Sequence, residues 1–119
     1  MIMTTVVSDF HAFVIKWLEN NGVELLEEVD FPPYRVDVYL PDYHAVIEVD
    51  GPHHTEKKDS KRDKELGDKY QLFVCHVTKQ MFKFSNEKAT LAMIQSFLNL
   101  AALSRDKRLS EVEDRFPWL

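Results

Sequence analysis

The stretch Val46-Ile47-Glu48-Val49-Asp50-Gly51-Pro52-His53-His54, VIEVDGPHH, sets two carboxylates into an apolar run, then a chain breaker, then two imidazoles. Side chains alternate across a strand, so Ile47 and Val49 point one way while Val46, Glu48 and Asp50 point the other. Both acids leave the same face. Gly51-Pro52 stops the strand directly after Asp50, and strand ends expose groups on a rigid scaffold.

Outward from this strand, Glu24 to Phe31 and Tyr34 to Leu40 read as two earlier strands, separated from each other by Pro32-Pro33 and from His44 to Asp50 by Pro41-Asp42-Tyr43. The second connection is short enough for an antiparallel hairpin. Thr55 to Leu66 reads as a very polar helix, and Gln71 to Val77 as a nearly continuous apolar strand, a pattern that predicts burial on both faces. Upstream, Val7, Phe10, Val14, Trp17 and Leu18 recur at helical spacing, which predicts a helix from about Ser8, a fitting N-cap, to Asn21, with Gly22 as its stop. Ser85 or Asn86 opens a long helix with Leu91, Ile94, Leu98 and Ala101 as its stripe. The order α-β-β-β-α-β-α predicts one α/β domain over residues 1–119, a sandwich around a central mixed four-stranded sheet flanked by helices. Residues 104–119 read as a charged C-terminal tail ending in Phe116-Pro117-Trp118-Leu119, which docks back or offers a contact to a second copy or a larger complex.

A chain of 119 residues buries one core. Its net charge of -5 argues against a generic coat for polyanions, which needs a basic excess. The charge is uneven, however: Lys57, Lys58, Lys61, Arg62 and Lys64 crowd one segment just after the histidine pair. The lone Cys75, in LFVCHV, reads as a small buried hydrophobe. No apolar run reaches membrane-spanning length and the start lacks a leader pattern, so the expectation is a cytoplasmic or nucleoid-associated protein away from membranes.

On the strand Tyr34 to Leu40, alternation puts Arg35, Asp37 and Tyr39 opposite Val36, Val38 and Leu40. The hairpin then brings Asp37 toward Glu48 and Asp50. Three converging carboxylates repel unless a cation joins them, and oxygen ligands of this kind suit Mg²⁺ or Mn²⁺. The competing reading is a hairpin face that is simply wet. His53 and His54 add groups that titrate near neutral pH, although a histidine pair in a loop is commonly just solvated. Zinc is disfavoured, since no paired Cys or His spacing occurs. On the polar helix Leu66 should face the sheet and carry Asp59, Arg62 and Asp63 inward with it. Arg62 and Asp63 then either buttress the fold as an ion pair or support the metal site. Lys57, Lys58, Lys61 and Lys64 stay toward solvent, as phosphate contacts or as an ordinary charged face.

Asp37, Glu48, Asp50, Gly51 and His54, in the spacing D-x10-E-x-D-G-x2-H, followed by Asp59, Lys61-Arg62-Asp63 and Leu66, resemble the PD-(D/E)XK nuclease superfamily. Within it the chain is similar to small nucleases related to very-short-patch-repair endonucleases and to the RAP domain. The RAP-like elements are Ser8, His11, Val14, Leu18, Gly22, Tyr34, Asp37 and the run Glu48 to His54, and the resemblance as a whole spans roughly residues 8 to 83. It implies a restriction-endonuclease-like fold. It also implies Mg²⁺ or Mn²⁺ held by Asp37, Glu48 and Asp50, and a phosphodiester, in DNA before RNA, attacked by activated water. Where the commonest pattern has a lysine, two residues after Glu48, this chain has Asp50. His54, before His53, is then the expected proton-transfer group, with Lys61, Arg62 and Asp63 in support or as alternatives and Lys57, Lys58, Lys61 and Arg62 on the nucleic acid. RAP domains imply instead an RNA-binding or RNA-processing module without cleavage.

Overall fold

Helix α1 (Val6–Asn20) ends where glycine is needed: Gly22 adopts a left-handed φ of 73°. Its N–H bonds the Glu19 carbonyl and the Val23 N–H bonds the Leu18 carbonyl, both at 3.0 Å. This is the Schellman pattern, closed by Leu18 and Val23, both buried in one cluster. The computed structural model describes backbone over residues 6–50, 56–78, 80–81 and 87–115, and side chains over 10–50, 59–78, 80–81 and 87–115.

Strands β1 (Leu26–Phe31), β2 (Tyr34–Leu40) and β3 (Ala45–Asp50) pair antiparallel in succession; helix α2 (Glu56–Tyr70) then crosses over so that β4 (Phe73–Thr78) lies parallel to β3. The result is the expected α/β order, with a mixed sheet β1-β2-β3-β4. Helix α3 (Glu87–Ser110) follows, then a short 3₁₀ turn at Glu113–Arg115. The domain's core is split by the sheet into two clusters, one on each face. Phe10, Val14 and Leu18 of α1 and Ile94 and Leu98 of α3 meet Val38, Leu40, Ile47, Val49, Cys75 and Val77. On the other face Leu66 and Tyr70 of α2 meet Phe31, Val36, Tyr39 and Val46. Among the described residues no helix is long and apolar enough to cross a membrane.

The structure departs from the sequence reading at several places; helix α1, for one, begins at Val6, so Ser8 lies inside it rather than capping it. Helix α2 runs one turn past Leu66, because Gly67 is tolerated inside it and Tyr70, four residues on, buries on the same side; Gln71, with φ of 58°, ends it. Strand β4 is buried on one face only, Cys75 and Val77 being inside while Val74, His76 and Thr78 are half-buried, since it is the edge strand of the described sheet. Residues 104–110, expected to begin a charged tail, are the last turns of α3, and Phe116 to Leu119 lie outside the described residues.

Those last turns carry a buried cation. Arg108 is 6% exposed, and its five N–H donors all find acceptors. Nη1 donates to the carbonyls of His44 (2.6 Å) and Gln71 (2.7 Å), Nη2 to those of Tyr43 (2.8 Å) and Ala101 (2.9 Å), and Nε to Ser104 Oγ (2.8 Å). The guanidinium also lies 4.0 Å from the centre of the Phe73 ring. A charge so buried is tolerated because every proton is bonded. Three of its four carbonyl partners, Tyr43, His44 and Gln71, sit just ahead of β3 and β4, so one side chain ties together the starts of both parallel strands.

Candidate metal centre

The β2–β3 ladder runs only from Leu40↔Ala45 to Val38↔Ile47. Beyond it two carboxylates take over the bonding: the Asp37 N–H donates to Glu48 Oε2 (2.7 Å) and the Val49 N–H to Asp37 Oδ2 (2.9 Å). Each acid thus satisfies a backbone donor that the ladder has released. The strict alternation read from the sequence breaks at the same place. Val36 packs with Tyr39 and α2 rather than with Val38 and Leu40, and across from Asp37 the β1 residue Glu28 has a left-handed φ of 54°.

Glu48 is buried, and Arg62, one turn before Leu66 on α2, forms an ion pair with its Oε1. The same guanidinium donates to the Arg35 carbonyl at 3.0 Å and lies 5.6 Å from the centre of the Tyr34 ring, whose hydroxyl donates to Glu65. Burial pushes the Glu48 carboxyl above the usual carboxylate range, opposed by the Asp37 N–H and by Arg62.

The other half of the site is built around His76. In the parallel register it lies beside Glu48, so both project toward α2. Nδ1 is 2.9 Å from Asp50 Oδ2 and Nε2 is 2.6 Å from Asp63 Oδ2. The hydrogen bond to Asp50, with that to Asp63, outweighs burial and raises the imidazole to about 9. With no ion bound, the two acids favour the imidazolium form, which donates through both nitrogens. Asp50, Asp59 and His76 each offer a ligand atom within 4.8 Å of the others. Glu48 thus meets Arg62, and Asp50, Asp59 and Asp63 gather around His76, with Asp37 beside Glu48.

The expected ligand set is therefore divided. Asp37 and Glu48 bond the splayed backbone, with Arg62 on Glu48, whereas Asp50 turns to His76. The group of three described side chains able to share an ion is Asp50, Asp59 and His76, rather than Asp37, Glu48 and Asp50. Arg62 and Asp63 both reach the site, each on a different acid or base, and are not paired with one another. Lys61 is exposed. His53 and His54 and the side chains of Lys57 and Lys58 lie outside the described residues. Sequence reasoning missed His76 altogether. The cue was a histidine in step with Val74 and Thr78 in an otherwise apolar strand, but its place beside Glu48 depends on a register set by the α2 crossover. Searches against protein-family models, curated proteins and solved structures find no match to the chain.

Proposed function

We propose that the chain is a divalent-metal-dependent endonuclease of the PD-(D/E)XK kind that hydrolyses phosphodiester bonds, in DNA before RNA. The observation that carries this reading is the convergence of five carboxylates and an imidazole at one end of the sheet, where β2 and β3 part. An acidic edge of this kind repels a phosphate unless a cation stands between them. A divalent ion held there would supply Lewis-acid polarisation and lower the pKa of a bound water toward neutral pH. Asp50 and Asp59 would hold it, while Asp37 and Glu48 brace the strand ends. A departing oxygen can take its proton from water at the site. Exposed Lys61 and Lys64 of α2 offer contacts for the phosphate backbone.

The test is cleavage of plasmid DNA and of RNA by purified chain in Mg²⁺ and in Mn²⁺. Glu48→Gln, nearly isosteric, should abolish cutting and leave affinity equal or higher, because a negative charge near the phosphate is gone. A second reading, a RAP-like RNA-binding module without cleavage, is favoured by Arg62 sitting on Glu48, which neutralises an acid that the nuclease resemblance gives to the metal. A wild type that binds RNA and cuts nothing in either metal would establish that reading instead.

A further inference from the structure

The donor atoms on α2, β3 and β4 differ in kind from the all-oxygen set that the strand-end acids suggest. We propose that Asp50, Asp59 and the Nδ1 of His76 form a site for one divalent transition ion of the Mn²⁺ or Co²⁺ class, the ion displacing the Nδ1 proton to solvent while Asp63 holds the Nε2–H. This deepens the metal-dependent reading, on which it rests for its role, by moving the ion away from Asp37 and Glu48 and naming its class.

Two geometric observations support it. First, ligand atoms of Asp50, Asp59 and His76 lie within 4.8 Å of one another, and they come from three separate elements, β3, α2 and β4. Ligands drawn from separate packed elements are held in place without an ion, so little ordering is needed to bind one. Second, Asp63 stands behind the imidazole. Its Oδ2 lies 2.6 Å from Nε2, on the ring edge away from Asp50, which is the carboxylate–histidine–metal arrangement that fixes a ligand's tautomer and orientation. Its other oxygen, Oδ1, is buried with no hydrogen-bond partner among the described residues, which leaves the imidazole as the partner of this carboxylate among them. An imidazole nitrogen among carboxylates selects for Mn²⁺, Co²⁺ and their neighbours over Ca²⁺ and Mg²⁺, which take oxygen.

The full chain, stripped with chelator and free of nucleic acid, is titrated by calorimetry with Co²⁺, Mn²⁺, Mg²⁺ and Ca²⁺, and Co²⁺ is followed by its visible absorption. One Co²⁺ should bind per chain, about tenfold or more tighter than Mg²⁺ or Ca²⁺. Asp59→Asn should weaken it by about tenfold or more, and Asp63→Asn by roughly 10- to 100-fold through the imidazole. Where His76→Gln unfolds the chain, Asp59→Asn, nearly isosteric and checked by circular dichroism, carries the test. Equal affinity for Co²⁺ and Mg²⁺, undiminished binding in Asp59→Asn, or loss of binding in Asp37→Asn while Asp59→Asn still binds would each overturn the site. Cleavage that survives Asp59→Asn would remove this site and leave the nuclease reading standing. Co²⁺ bound by a wild type that cuts nothing would do the reverse.

Discussion

Replacing Arg62 with Met keeps a side chain of similar length against the Tyr34 ring and removes the guanidinium from Glu48. The two side chains are 19% and 6% exposed, so the carboxylate is left with little water to compensate it. Breaking such a buried pair from one side typically costs about 3–5 kcal/mol. Glu48 has an escape, which is to take up a proton, and the cost of that proton caps the penalty. The ordinary value is 4.5, and burial already holds the folded group above it. A carboxyl kept neutral costs about 1.4 kcal/mol for each pH unit above its unfolded value, so the cap is about 4 kcal/mol near pH 7.5 and about 1.4 kcal/mol near pH 5.5. The lost bond to the Arg35 carbonyl adds about 1 kcal/mol at either pH. The sign follows from the direction of the shift: a group raised on folding gives stability below its unfolded value and loses it as pH rises through the folded one. Urea unfolding should thus show a loss of up to about 5 kcal/mol near pH 7.5 and about 2 kcal/mol near pH 5.5. Adding Glu48→Gln should restore much of the difference. A loss of the same size at both pH values, or a double variant whose loss is the sum of its parts, would refute this account of the pair.

In chelator-treated protein His76, raised to about 9, contributes stability that is full below about 6.5 and drains away as pH climbs through 9; the urea midpoint should fall over that window, and Asp63→Asn should flatten the fall. His44 acts with the opposite sign. Buried and lowered by that burial, it donates from Nε2 to the Tyr70 carbonyl and accepts the Tyr39 hydroxyl at Nδ1, so its contribution is present above 6.5 and lost on acidification. Tyr39→Phe leaves that nitrogen unmet and should cost about 1–2 kcal/mol by thermal unfolding. Arg108→Lys replaces five donors by three and should cost about 3 kcal/mol or more, with faster amide exchange in β3 and β4 together.

The order of elements was legible because apolar spacing and breakers mark it locally: Gly22 stops α1, and Pro32-Pro33 and Pro41-Asp42 bound β2. Leu66 also correctly foretold which side of α2 meets the sheet, and with it Asp59, Arg62 and Asp63. Alternation failed at Asp37, where a side chain replaces the ladder and lets Val36 turn to the α2 face. The partners of His76 were hidden because they lie 26 and 13 residues away and meet only through the parallel crossover. Arg108 was hidden for a related reason. A cation near the end of a polar helix looks solvated until its acceptors, two loops 37 and 64 residues upstream, fold beneath it.

A nascent chain carries every acid of the edge, and His76, well before Arg108 is made. The side chain that ties the starts of β3 and β4 to one another touches none of the groups whose spacing depends on them. During synthesis, then, the strands that hold Glu48, Asp50 and His76 can pair before they are clamped, and the edge gains its last constraint only when the end of α3 docks. Shortening α3 would act at a distance, leaving each acid present in the sequence while loosening the alignment that makes them neighbours.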